Sequence, residues 1–182
     1  MKKIRVAFYI TPKFKWKYIV NWLITIWTWC WYSHVELWKP NQDCFVNPYS
    51  CGLQIVGTTY SSTMRGDDNG TRSADASLVL KHPERWDYME IAVTDEQYEL
   101  LRLIMAVDVE HNKGYAKWDI LKFISPIHFP DNERNICSEA VNNWLVIIGI
   151  LLEFGIVSPG KLYKKLIKAG YKVESLNRKG IA

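Results

Sequence analysis

The sequence predicts an α+β fold in which an antiparallel sheet packs against helices. The predicted order is one helix among a block of strands, followed by helices with a last strand added. Two helix starts carry clear signals, a capping box that begins at Thr94 and a Ser-Pro pair at Ser158. The 182 residues, 48% hydrophobic and 14% aromatic, fit one domain, 1–182, with a buried core.

The first third of the chain predicts strands around one helix. Apolar side chains three and four positions apart predict an amphipathic helix over 14–29. Alternating or β-branched segments predict strands at 4–10, 32–38, 44–47 and 53–60, and the second and third of these form an antiparallel hairpin. Alternation in the strand 32–38 places His34, Glu36 and Trp38 on one face.

The remainder of the chain predicts a polar loop, two strands and several helices. Residues 61–75 are polar and contain glycine, which predicts a mobile loop or a loosely formed hairpin turn. The elements predicted after it are strands at 76–80 and 86–93, helices from Thr94 to Gly114, over 116–124, from Cys137 onward and over 158–170, and a last strand at 171–176.

Cys137, in the stretch "DNERNICSEAVNNWL", is the candidate nucleophile. Apolar positions recur at helical spacing from Ala140 onward, and Glu139 suits the first turn of a helix, so Cys137 is expected near a helix N-terminus. The unpaired N–H groups and the helix dipole at such a position favour the thiolate. The alternative is a small buried hydrophobic residue without chemistry.

A thiolate nucleophile needs a base and a group that holds the base. His34 in "WYSHVELW" is the best candidate base, and Asn47 in "CFVNPYSCGLQIV" is the best candidate to orient it. In the predicted hairpin the two residues lie on adjacent strands, where paired side chains are about 5 Å apart.

Other histidines and cysteines offer weaker alternatives. His82 lies in a turn, His111 is at a helix C-terminus, and His128 is the one rival base because its loop leads into the cysteine helix. A zinc site is conceivable, but no ligand pair has the short spacing that zinc sites favour. Its ligands would be His34, Cys44, Cys51 and Cys137.

Charge and hydropathy limit the partners. The net charge of +4 comes without a basic stripe that carries stacking aromatics, so nucleic acid is not expected as a partner. Lysines and Pro12 interrupt any signal peptide near the N-terminus, and four cysteines without a CxxC pair favour reduced thiols in a cytoplasm. The apolar runs 18–32 and 144–157 are too short to span a bilayer, but peripheral membrane contact through residues 14–32 stays an alternative.

Four segments together resemble a known family. "WYSHVELW", "FVNPYSCGLQI", "NICSEAVNNWL" and "SPGKLYKKL" occur in the order seen in the circularly permuted papain-like hydrolases, the NlpC-like superfamily members whose histidine strand precedes the cysteine helix. The resemblance extends over nearly the whole chain. Asn47 departs from the pattern, because the family more often places a carboxylate or a second histidine there.

The resemblance implies a permuted papain-like fold and a cysteine hydrolase that uses no cofactor. Such an enzyme cleaves an amide bond, in a peptide, an isopeptide or a cell-wall peptide, through a thioester with a Cys137-His34-Asn47 triad. The Cys137 backbone N–H stabilises the oxyanion by about 3 kcal/mol, and Tyr115 is a candidate hydroxyl donor unless it is simply a partly buried tyrosine. The alternatives are a thiol acyltransferase or lipid esterase, and a catalytically silent binding module on the same fold. The oligomeric state is not predicted.

Overall fold

A computed structural model describes residues 1–12, 19–41, 55–65, 68–111 and 136–176. Six strands and five helices are found in these ranges. They are β1 (Lys2–Ile10), α1 (Ile19–Thr28), β2 (Tyr32–Lys39), β3 (Thr58–Arg65), β4 (Asp68–Asp75), α2 (Ala76–Val79), β5 (Trp86–Val93), α3 (Asp95–Glu110), α4 (Cys137–Ile147), α5 (Pro159–Lys168) and β6 (Val173–Ser175). A 3₁₀ turn at Pro83–Arg85 leads into β5.

The six strands form one sheet in the order β4-β3-β2-β1-β5-β6. Every neighbouring pair is antiparallel, so the predicted α+β class with an antiparallel sheet is confirmed. The central strand β1 is paired on both sides from Arg5 to Tyr9, with Val6 opposite Leu37 of β2 and Met89 of β5. That position gives β1 a run of buried residues instead of a half-exposed face.

One face of the sheet packs against α3, α4 and α5 and forms the main core. Val35 and Leu37 of β2 contribute to this core, as do Leu101 of α3 and Trp144 of α4. The Trp144 indole N–H, which would be costly to bury unpaired, donates to Asp108 Oδ2 of α3 at 2.7 Å. The opposite face carries a smaller cluster that includes Trp38, so the predicted alternation along β2 is confirmed.

Two predicted helix starts are confirmed by their caps. At α3, Thr94 Oγ1 accepts from the Gln97 backbone N–H at 3.1 Å, and Gln97 Oε1 accepts from the Thr94 N–H at 2.9 Å. At α5, Ser158 Oγ accepts from the Lys161 N–H at 3.2 Å, and Pro159 occupies the first helical position. These bonds satisfy N–H groups that the first turn of a helix otherwise leaves unpaired.

The mobile loop predicted over 61–75 is wrong, and the hairpin alternative is the nearer one, because this stretch forms most of the β3–β4 hairpin, paired from Thr58–Asp75 to Arg65–Asp68. Ser61, Ser62, Thr63 and Thr71 are buried in the sheet, and Ser61 Oγ donates to the Val35 carbonyl at 2.7 Å. Small hydroxyl side chains therefore take core positions that composition alone assigned to solvent. β3 begins at Thr58, so the strand predicted over 53–60 starts too early.

The predicted strand at 76–80 is also wrong. Residues Ala76–Val79 form the short helix α2, because Asp75 Oδ1 accepts from the Ser77 N–H at 2.7 Å and so caps a helical turn. The predicted strand at 44–47, the helix at 116–124 and the first residues of the helix at 14–29 lie outside the described residues. In the part of the chain that the structure describes, no helix is long and apolar enough to cross a membrane.

Candidate active site

Cys137 is the first residue of α4, as its sequence context predicts. Ile136 precedes it in extended conformation and supplies no side-chain cap, and the Ala140 N–H makes the first intrahelical hydrogen bond, to the Ile136 carbonyl at 3.0 Å. The N–H groups of the first turn therefore have no acceptor within the helix. The cysteine is 4% exposed, so these N–H groups and the sulfur share a largely dry environment.

The thiol reaches the sheet where β2 and β3 separate. Among the described residues these strands pair from Lys39–Thr58 to Leu37–Tyr60, and α4 contacts both of them. Beyond that point the Val35 carbonyl accepts from Ser61 Oγ, and the Val35 N–H donates to the Cys137 sulfur. If the β2–β3 pairing continued, a backbone carbonyl would accept from the Val35 N–H. The Cys137 sulfur takes the place of that carbonyl.

His34 lies between the thiol and a buried carboxylate. The imidazole makes a hydrogen bond with Cys137, and its Nε2 donates to Glu36 Oε1 at 2.8 Å. Because Nε2 is held by the carboxylate, Nδ1 is the ring nitrogen left for the thiol. The His34 side chain is 12% exposed, so it is largely shielded from solvent.

Glu36 is held in turn by Arg72. Its side chain is fully buried, and Oε1 accepts from Arg72 Nη2 at 3.0 Å as well as from His34. Arg72 of β4 lies opposite Ser61 of β3 in the sheet, so its guanidinium crosses one strand to reach the β2 carboxylate. Within the described part of the chain Glu36 Oε2 has no hydrogen-bond partner, so Oε1 alone accepts the hydrogen bonds from His34 and Arg72.

The four side chains form a row of alternating charge when the thiol is ionised. Thiolate, imidazolium, carboxylate and guanidinium follow one another from Cys137 through His34 and Glu36 to Arg72. Each charge except those at the ends lies between two of opposite sign. This pairing offsets the desolvation free energy of burying ions. An isolated buried charge would have no partner to offset that cost.

Electrostatics favour the ion pair of Cys137 and His34. Burial lowers the pKa of His34, but attraction to the Cys137 thiolate and hydrogen bonds to Cys137 and Glu36 outweigh it and raise that pKa to about 9. Burial raises the pKa of the Cys137 thiol, but the charge and hydrogen bond of His34 and the Val35 N–H together hold it below its ordinary value. The two pKa shifts therefore have one main cause: the thiolate and the imidazolium stabilise each other.

Two hydrogen bonds fix the N-terminal half of α4. Ser138 Oγ donates to the Val157 carbonyl at 2.5 Å, and Asn142 Nδ2 donates to the Glu153 carbonyl at 3.0 Å. Both Ser138 and Asn142 are fully buried. They tie the helix start to the chain segment that leads into α5, so the position of Cys137 depends on this segment as well as on the sheet.

The structure brings together two of the four residues predicted for the site, Cys137 and His34. Asn47 and Tyr115 lie outside the described residues, so their roles stay predictions. Sequence reasoning missed Glu36 and Arg72 as members of the site. The signal for Glu36 was the strand alternation, which already placed it on the face of His34 two positions away.

The other histidines and the zinc alternative can be placed only in part. His82 is exposed near Glu84, and His111 is the C-terminal cap of α3, while His128 lies outside the described residues. Cys44 and Cys51 are also outside them. In the described ranges, no group of three or more His, Cys, Asp or Glu side chains is arranged to hold a metal ion.

Comparison of the chain with protein-family models and with curated proteins finds no match. The functional interpretation therefore starts from the geometry around Cys137.

Proposed function

We propose that this protein is a cysteine hydrolase with a permuted papain-like fold, which cleaves an amide bond through a thioester. The observation that carries the proposal is the hydrogen bond between the Cys137 thiol, at a helix N-terminus, and His34, whose far nitrogen is held by Glu36 at 2.8 Å. A nucleophile, a base and a group that orients the base are the three parts that acyl transfer by a thiol needs.

The first half-reaction forms the thioester. The Cys137 thiolate attacks the substrate carbonyl carbon, and the resulting oxyanion accepts from backbone N–H groups at the start of α4, foremost that of Cys137. When the carbon–nitrogen bond breaks, the His34 imidazolium transfers its proton to the leaving amine. One oxyanion donor contributes about 3 kcal/mol to the stability of the transition state in comparable enzymes.

The second half-reaction restores the enzyme. Neutral His34 takes a proton from water, whose oxygen attacks the thioester carbonyl, and the carbon–sulfur bond breaks to release the acid and the Cys137 thiolate. Glu36 stabilises the imidazolium in both halves, because its carboxylate accepts from Nε2 throughout. A carboxylate at this position supplies charge that an amide such as Asn47 lacks, so we assign the orienting role to Glu36.

A second candidate function, hydrolysis or transfer of a lipid acyl ester, has one observation in its favour. Large apolar side chains of the α1 region are exposed, including Trp29 at 91% and Trp31 at 78%. The thioester chemistry is the same for an ester and an amide, and only the leaving group differs. The two candidates therefore share every catalytic residue and are distinguished by substrate.

The test traps the acyl-enzyme. The full chain is incubated with panels of peptide amides, peptidoglycan fragments and acyl esters, and its intact mass is followed after rapid acid quench. We expect an adduct on Cys137 that hydroxylamine removes, that is absent from Cys137→Ala, and that persists in Cys30→Ala, the matched change at another free cysteine. An adduct that forms equally on Cys137→Ala would refute the nucleophile. Absence of any adduct or turnover across all three panels would favour the catalytically silent module.

A further inference from the structure

The region around α1 carries an exposed apolar surface, called here the tryptophan surface. Its members are side chains that a water-soluble surface rarely groups together, with exposures of 37% to 91%. They are Trp22, Leu23, Ile26, Trp29 and Trp31. Trp22 and Ile26 are four residues apart in α1, which places them on one side of the helix, and Trp29 follows directly after its last residue. Ile24, on the opposite side of the helix, is buried.

The end of α1 directs Trp29 outward at a conformational cost. The Cys30 N–H donates to the Thr25 carbonyl at 3.2 Å and the Trp29 N–H to the Ile26 carbonyl at 3.3 Å, which is the Schellman pattern of helix termination. Trp29 therefore takes the position usually given to glycine, and its φ is +48°. A bulky side chain is disfavoured at positive φ. The side chain of Trp29 is 91% exposed, so no burial within the chain offsets this backbone strain.

The tryptophan surface also has depth. A cavity of about 450 Å³ opens beside it, lined mostly by apolar atoms. The lining residues are Trp22, Thr25, Ile26, Trp29, Cys30 and Trp31. Cys30, one of the lining residues, packs tightly against Gly160 of α5, where an added Cβ would lie 2.5 Å from the Cys30 Cβ. The surface can therefore take up apolar groups that insert into it.

Lysines occur in the sequence just before this surface, and exposed lysines occur on α5, which approaches Cys30 through Gly160. No Asp or Glu precedes Glu36 in the sequence, while Lys13, Lys15 and Lys17 come directly before α1. The helix α5, which contains Gly160, carries four lysines and no acidic residue, and three of these lysines are exposed. They are Lys161, Lys164 and Lys168.

We propose that the tryptophan surface docks onto an anionic lipid bilayer. Tryptophan side chains favour the boundary between headgroups and acyl chains, where the ring is buried and its N–H stays hydrated. The exposed lysines of α5 add attraction to anionic headgroups. A second copy of the chain fits less well, because each copy adds the same excess of positive charge and like charges repel.

The experiment is sedimentation of the full chain with vesicles, at low and high salt. We expect binding to phosphatidylcholine vesicles that contain phosphatidylglycerol, and weaker binding to phosphatidylcholine alone or at high salt. The double variant Trp29→Asn, Trp31→Ser should lower the partition coefficient on the order of tenfold or more, since two large apolar side chains are removed. Asparagine is chosen at Trp29 because it tolerates positive φ.

The matched control removes two exposed apolar side chains elsewhere. Leu152 and Phe154 are 94% and 63% exposed, and Leu152→Ser, Phe154→Ser should bind vesicles like wild type. Cys137→Ala should also bind normally, so loss of the proposed catalysis does not affect this test. Equal binding by both double variants overturns the proposal, as does failure of wild type to bind anionic vesicles. A wild-type dimer in light scattering that the tryptophan variant dissociates, without vesicle binding, assigns the surface to a second copy instead.

Discussion

Replacement of Glu36 by glutamine tests the electrostatic argument for the site most directly. Glutamine keeps the shape of the side chain and an oxygen that can accept from His34 Nε2, and it removes the negative charge. Glu36 is fully buried and bonded to both His34 and Arg72, at 2.8 Å and 3.0 Å, so water cannot replace what the change removes. The substitution therefore separates charge from hydrogen bonding.

The size of the effect follows from the pKa of His34. A rise from 6.5 to about 9 corresponds to about 3 kcal/mol in favour of the imidazolium. Burial opposes this rise, and of the groups that produce it Cys137 contributes more than Glu36. We therefore expect Glu36→Gln to lower the pKa of His34 by about one unit, the low end of the effect of a close opposite charge.

The same change should destabilise the fold. Arg72 loses its carboxylate partner while its side chain is only 18% exposed. Removal of one member of a buried ion pair typically lowers the free energy of unfolding by about 3 kcal/mol or more. Because Arg72 is partly exposed, we expect a loss of about 3 kcal/mol, the low end of that range. Denaturant unfolding of wild type and variant measures the difference.

Titration of isotope-labelled histidine by NMR measures the pKa, with the His34 signal assigned from His34→Ala. The matched control is Glu90→Gln, because Glu90 is also paired with an arginine of the sheet, Arg5, at 3.0 Å. The control should leave the His34 midpoint unchanged. If the midpoint stays near 9 in Glu36→Gln, or if the control moves it equally, the role assigned to Glu36 is wrong.

Four further outcomes are expected. Because the pKa of Cys137 is lowered, iodoacetamide at neutral pH should label it faster than Cys30, and His34→Ala should slow that labelling; peptide mapping that shows Cys30 reacting first would contradict this. Because the imidazolium donates the proton to the leaving group, kcat/KM on a substrate found in the screen should fall as pH rises through about 9, and an alkaline limb near 6.5 would contradict the ion pair. Hydrogen exchange should show protected amides within β3 and β4, whereas uniform exchange within seconds would restore the loop interpretation. Thr94→Ala should lower the free energy of unfolding by about 1 kcal/mol because it removes the cap of α3, and an unchanged denaturation midpoint would count against the capping box.

Features that depend on neighbouring residues could be predicted from the sequence. The capping box at Thr94 and the Ser158-Pro159 start are satisfied within one helical turn, so their residue types are sufficient to specify them. The start of α4 at Cys137 and the alternation of β2 are equally local. The α+β class follows from the order of such elements.

Local composition misled where tertiary burial decided the structure. Residues 61–75 are polar enough for a loop, yet Ser61, Ser62 and Thr63 are buried because the sheet and α4 supply partners and cover for them. At 76–80 the residues fit a strand, and the Asp75 cap turned them into a helix. In both places the competing alternatives differ little in intrinsic propensity, so context determined the outcome.

The sequence by itself identified the residues that carry the proposed chemistry, a cysteine at a helix start and a histidine on a strand. Only the tertiary structure decided that they meet, because the gap between β2 and β3 admits the start of α4 and leaves the Val35 N–H for the thiol. It also decided that Glu36 is the carboxylate behind His34. Strand alternation placed the two on one face, but the arginine that makes a buried charge tolerable comes from β4, two strands away, and no local pattern encodes that approach.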